Sequence, residues 1–146
     1  MYVRRVLAEL RWECDPDVFA NIFGDIFTPN RPVCDLIPKL AANYRLVLAS
    51  NSNGLHAADF LPAFAGTLGH FQKLVFSYEV TARKPDAAFY RACQEHACCE
   101  PRQCLFVDDR TDNIEAAARH GWNVIHLTSI DKLLRGLARF GVYNDF

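Results

Sequence analysis

Two carboxylates stand side by side at Asp108-Asp109, directly after the apolar run Leu105-Phe106-Val107. Acids at the mouth of a buried strand are costly unless something neutralises them. A divalent cation does so, and magnesium favours one or two carboxylates, with water and phosphate oxygens completing its shell. Lys84 offers a point charge for a phosphate or a carboxylate. Ser50 and Asn51 offer a hydroxyl and an amide for hydrogen bonds to the same oxygens. Metal, cation and neutral donors around an anion make a phosphoryl site. Each piece alone has a plainer reading. Asp109-Arg110-Thr111-Asp112 also suits a helix start, Lys84-Pro85 a solvated loop, and Ser50-Asn51-Ser52-Asn53-Gly54 a turn.

What joins them is the position of the elements that must carry them. Tyr44 to Ala49, Leu74 to Ser77, Leu105 to Val107 and Val124 to Leu127 are short apolar runs bounded by polar turns, and each reads as a buried strand. Between and after them, periodic segments predict helices ending near Phe64, over Asp86 to Ala97, over Thr111 to His120 and over Ser129 to Phe140. Upstream, Val18, Phe19, Ile22, Phe23, Ile26 and Phe27 recur at helical spacing after Asp15-Pro16-Asp17, and Val33 to Asn43 reads as a second helix. Strands alternating with helices imply an α/β fold with a parallel sheet covered on both faces. In such sheets ligands bind beyond the carboxyl ends of the strands. Ser50-Asn51, Lys84 and Asp108-Asp109 follow three successive strands, so all converge on one rim.

The 146 residues fit one domain with a sizeable core, and 51% of them are apolar. A net charge of −1 gives no electrostatic case for nucleic acid. No apolar run reaches the ~20 residues of a membrane span. The N-terminal stretch meets Glu9, Arg11, Glu13 and Asp15 where an export signal needs apolar residues, so a cytoplasmic setting is expected. The 6 cysteines form no C-x-x-C pair and read as small buried hydrophobes in a reducing compartment.

Three segments resemble motifs of the haloacid dehalogenase (HAD)-like hydrolase superfamily. Leu46-Val47-Leu48-Ala49-Ser50-Asn51 is similar to its second motif. Ser77 to Asp86, with Arg83-Lys84-Pro85-Asp86, is similar to the third. Phe106-Val107-Asp108-Asp109-Arg110-Thr111-Asp112-Asn113-Ile114-Glu115-Ala116-Ala117 is similar to the acidic fourth. The match runs from about Pro32 to Leu134. The resemblance implies a three-layer, Rossmann-like core at 32–146 and a remnant of the family's helical cap at 1–31. It implies Ser50 and Lys84 as catalytic groups, with Asn51 beside them binding the phosphoryl group of a small substrate. It implies Mg2+ on Asp109 and Asp108, and Asp112 and Asn113 supporting the acidic loop.

One motif does not match. The family's first motif is a strand ending in Asp-x-Asp, whose first carboxylate is the nucleophile. The only Asp-x-Asp here is Asp15-Pro16-Asp17, which follows the polar Leu10-Arg11-Trp12-Glu13-Cys14 and reads as a helix start. The expectation is therefore a HAD-like core lacking its central nucleophile strand, truncated relative to the family, with little or no turnover. Two alternatives stand beside it. One is an active phosphohydrolase whose nucleophile comes from Asp15, Asp17 or another chain. The other is a non-catalytic module. The gap left by the strand closes, is filled by Tyr2 to Leu7, or is completed by a second copy in a homodimer.

Overall fold

The computed structural model describes residues 2–24 and 27–142. Its helices in chain order are α1 (Tyr2–Leu10), α2 (Pro16–Gly24), α3 (Arg31–Cys34), α4 (Ile37–Ala41), α5 (Gly54–Ala63), α6 (Ala65–Leu68), α7 (Ser77–Val80), α8 (Ala87–Ala97), α9 (Thr111–Arg119) and α10 (Ile130–Arg139). The strands are β1 (Val47–Ser50), β2 (Lys73–Phe76), β3 (Leu105–Asp108) and β4 (Asn123–His126). All four expected strands form, within a few residues of their expected bounds. The helix expected over Val33 to Asn43 is two short ones, each with a proline, Pro32 or Pro38, in its first turn. Ile26 lies outside the described residues.

The strands pair in parallel, β1 with β2 and β3 with β4, as two separate two-stranded sheets. Nothing is bonded between β1 and β3, so the gap has not closed. Tyr2 to Leu7 does not fill it either, because that stretch belongs to α1. Arg5 and Glu9, one helical turn apart, pair at 2.9 Å on the exposed side of α1, and Leu7 is buried.

Packing still makes one body of the two sheets. A shared core covers one face of both pairs. Phe89, Tyr90 and Cys93 of α8 and Ala116 and Ala117 of α9 pack with Val75 of β2 and Phe106 of β3. Val47 and Ala49 of β1 and Val124 of β4 pack against the same cluster. On the opposite face, Ala57 and Phe60 of α5 meet Phe76, Leu48 and Leu74. Beside them Leu133 and Leu137 of α10, with Leu36, cover Ile125 and Leu105. The result is the three-layer α/β arrangement the alternation requires. Gly136 lets α10 lie close on the sheet, since a Cβ there would come within 2.8 Å of the Ile125 side chain. No described helix is long and apolar enough to cross a membrane.

The cysteines depart from expectation: Cys93 alone is buried, Cys34 and Cys104 are half-buried, and Cys14, Cys98 and Cys99 are exposed. The buried aromatics also hold a titratable ring. His120 packs edge-on to Trp122 at 5.2 Å between centroids and lies 6.1 Å from Tyr90. Burial, and then the charge of Arg91, lowers its proton affinity below the usual 6.5. As pH falls through 6.5 the unfolded chain takes up this proton before the folded one. Stability from His120 is therefore complete above that pH and declines below it. Urea midpoints are expected to drop between about pH 7.5 and about pH 5.5, and His120→Phe is expected to flatten the drop. An unchanged slope in the variant would assign the effect to other groups.

Candidate active site

The three strand ends meet at one side chain. Lys84 follows the short α7 in the connection between β2 and α8, and its ammonium points back between the sheets. Its Nζ donates to the carbonyl of Ala49 in β1 at 2.8 Å and to Asp108 Oδ2 at the end of β3 at 2.7 Å. The ion pair is nearly dry, with the two side chains 10% and 7% exposed. An ammonium has three donors, so one remains for a ligand beyond these two acceptors.

Asn51 sets the lysine's backbone. Its Oδ1 accepts from Lys84 N at 2.8 Å and its Nδ2 donates to Lys84 O at 2.9 Å. These two bonds give Asn51 a positioning role, and its second amide N–H remains for the expected contact with substrate. Ser50 ends β1 opposite Phe76 of β2. No hydrogen bond of its hydroxyl is found among the described residues, which leaves it available. Ser77 was not singled out from the sequence, yet it ties the two loops together. Its Oγ donates to Ser52 O at 3.0 Å and accepts from Ser52 N at 3.1 Å. The only sequence signal for it is a hydroxyl residue at the end of a strand.

The adjacent carboxylates divide their roles. Asp108 is buried and engaged at both oxygens. Its Oδ1 accepts from Asn113 Nδ2 at 2.9 Å and from Arg110 N at 3.0 Å, while Oδ2 faces Lys84. Burial alone would raise its pKa. Hydrogen bonds from Lys84, Asn113 and the Arg110 backbone, with the charge of Lys84, outweigh that and hold it below the usual 3.8. Asp109 is exposed, and no hydrogen bond of its carboxylate is found among the described residues. Its backbone carbonyl instead meets His126 Nε2 at 2.9 Å, which pins the loop to β4.

Asn113 and Asp112 brace this loop from the first turn of α9. Asn113 is 2% exposed, and its carbonyl accepts from Tyr90 OH at 2.9 Å. Its Oδ1 is buried without a partner among the described residues. Asp112 accepts from its own neighbour Asn113 N at 3.0 Å. It also accepts both Nε and Nη2 of Arg110, at 3.1 and 2.8 Å. Asp15 and Asp17, by contrast, lie at the start of α2, where Asp15 Oδ1 accepts from Asp17 N at 2.8 Å as a helix cap does.

No group of three or more metal-ligating side chains is found among the described residues. Two adjacent carboxylates, one of them free, still suit magnesium, which keeps several waters and takes oxygens from a phosphate. Phosphoryl chemistry of this kind depends on positioning and charge neutralisation. The pieces present can do both.

A family model described as haloacid dehalogenase-like hydrolase matches residues 7–121. A flavin mononucleotide hydrolase of Arabidopsis thaliana is 35% identical over 60 residues, covering 41% of this chain and 24% of the relative. An enolase-phosphatase of Nocardia farcinica is 31% identical over 86 residues, covering 58% and 37%. The matched stretches thus cover well under half the length of these curated relatives. Among solved structures, a HAD-like family hydrolase of Porphyromonas gingivalis superposes with a TM-score of 0.78 at 19% identity, covering 98% of this chain and 73% of the other. A HAD family enzyme of Bacteroides thetaiotaomicron, in complex with magnesium and inorganic phosphate, gives 0.70 at 22% identity, covering 82% and 63%. At such identities these two show the fold alone.

Proposed function

This chain belongs to the haloacid dehalogenase-like hydrolase family, and we propose that it keeps the magnesium- and phosphate-binding part of a phosphatase site while turning substrate over slowly or not at all. The observation that carries this reading is Lys84, which bonds both β1 and Asp108 of β3 where the two sheets are not joined. The anion would be held by Ser50 Oγ and the third donor of Lys84, with Asn51 positioning the lysine. Asp109, with Asp108 beside it, would hold Mg2+, and Asp112 and Asn113 would support their loop. When bound, the ion supplies positive charge against the phosphoryl oxygens. The relatives named as a flavin mononucleotide hydrolase and an enolase-phosphatase support a small phosphorylated molecule as ligand. The magnesium and phosphate in a fold neighbour support the cofactor. Residues 1–31 are assigned to a cap remnant and 32–146 to the core, in a cytoplasmic setting.

The described residues contain no strand ending in a free carboxylate beside Lys84, and these residues by themselves offer no covalent nucleophile for a phosphoaspartyl route. An aryl phosphate offered with magnesium is expected to be hydrolysed at the background rate. Robust magnesium-dependent turnover that Asp109→Ala abolishes would sink the reading.

One observation favours a second reading, in which another chain completes the site. The edges of β1 and β3 facing the gap carry no backbone ladder, and Val107 in β3 is 36% exposed. Unpaired edges are templates for a further strand. A homodimer, or an active enzyme completed by a second chain, would fill them. Light scattering that finds a monomer at all concentrations excludes the homodimer. Undiminished activity in Asp15→Asn and Asp17→Asn excludes those two residues as nucleophiles.

A further inference from the structure

Away from the strand ends, two thiols face each other. Cys99 Sγ and Cys104 Sγ are 3.5 Å apart. The chain between them is built to bring them together. Helix α8 stops at Cys98, whose left-handed backbone (φ 57°) turns the chain back on itself. Gln94 Nε2 holds the turn by donating to Cys99 O at 2.6 Å. A one-turn 3-10 helix, Pro101–Gln103, follows, closed by reciprocal bonds between Glu100 and Gln103. It delivers Cys104 to the start of β3, half-buried beneath Cys99. A cleft of about 440 Å3 opens beside the pair, lined by Cys98, Cys99, Gln94, Glu95 and Arg91 among others.

We propose that Cys99 and Cys104 form a thiol–disulfide exchange site that a small peptide disulfide of the oxidised-glutathione class converts to an intramolecular disulfide. The exposed Cys99 thiolate attacks one sulfur of the small disulfide. That S–S bond breaks, one small thiolate leaves and takes up a proton, and a mixed disulfide remains on Cys99. Cys104 then loses its proton to solvent and attacks the Cys99 sulfur, and the second small thiol departs. Two protein thiols are oxidised and one small disulfide is reduced to two thiols. Closing the pair needs its sulfurs to move from 3.5 Å to about 2.05 Å. The cleft wall carries Arg91 with Glu95 and Glu100, charges of both signs for the carboxylates and the ammonium of such a peptide. Burial, and then the neighbouring Cys99, push the Cys104 thiol up to about 11, so the first attack falls to the exposed Cys99.

The test is incubation of the whole chain with oxidised glutathione near neutral pH, followed by unfolding in acid, alkylation and tryptic mapping. Arg102 lies between the two cysteines, so cleavage there leaves two peptides joined only by the bridge. The expected result is a loss of two alkylatable thiols from the six free cysteines, a Cys99–Cys104 linked pair and no retained glutathione. Cys104→Ser should trap the mixed disulfide on Cys99, and Cys98→Ser should leave the bridge intact. A Cys98–Cys99 bridge, a lasting adduct on the unsubstituted chain, or six unreacted thiols overturns the proposal.

Discussion

Replacing Lys84 by methionine is expected to lower the free energy of unfolding by about 3–5 kcal/mol, the usual result of breaking a buried ion pair by removing one partner. The side chains involved are only 10% and 7% exposed. Without Lys84, Asp108 keeps its bonds from Asn113 and Arg110 N but has no countercharge. The Ala49 carbonyl loses its donor in the same stroke. Against a total stability of about 5–15 kcal/mol for a domain, this is a large fraction. Methionine keeps the aliphatic stem, so the loss reports on charge and hydrogen bonding more than on packing. The double variant Lys84→Met/Asp108→Leu is expected to recover only part of it, because the desolvation penalty of the ion pair is gone while Asn113 Nδ2 and Arg110 N lose their acceptor. Urea unfolding of the two single variants and the double variant gives the coupling directly. A cost below about 1 kcal/mol for Lys84→Met would mean the pair is effectively solvated, as surface pairs are.

The rim of the site was legible because its residues sit at strand ends, and strand ends are marked where an apolar run stops at a polar turn. Ser50, Lys84 and Asp108 all follow such runs, and the structure brings Lys84 against Asp108 across β1. The expected gap falls where the structure has two separate two-stranded sheets, β1 with β2 and β3 with β4. The division of labour between Asp108 and Asp109 was not legible. Neighbouring residues leave a strand on opposite sides, and only the register decides which carboxylate turns toward Lys84. The hold of Asn51 on the Lys84 backbone was not legible either, because nothing in a sequence says that an amide bonds backbone 33 residues away. The bounds of helix α1 are weakly marked in the sequence, where the one-turn Arg5–Glu9 pair is the clearest sign of a helix. The Cys99–Cys104 contact depends on a left-handed residue and a 3-10 turn, and no residue spacing encodes either.

That division of labour makes a sharp expectation for the metal. Magnesium with inorganic phosphate is expected to raise the melting temperature of the unsubstituted chain, and Asp109→Ala is expected to abolish the rise. A ligand at about 100 times its dissociation constant adds about 2.7 kcal/mol. For a chain of this length that corresponds to about 10 °C. Asp109 is exposed and its carboxylate is uncommitted among the described residues, so removing it should change the ligand-free stability by no more than about 0.5 kcal/mol. Asp108→Ala should behave in the opposite way, lowering the ligand-free melting temperature because it strands Lys84 and Asn113. The two neighbours are thus separated by one experiment, with binding lost at Asp109 and folding weakened at Asp108. Scanning calorimetry with and without the ions reads both effects, and no turnover is required. Asp109→Ala retaining the full thermal shift would remove Asp109 from the metal site. The phosphate-binding role of Ser50 and Lys84 would then have to stand without the cation.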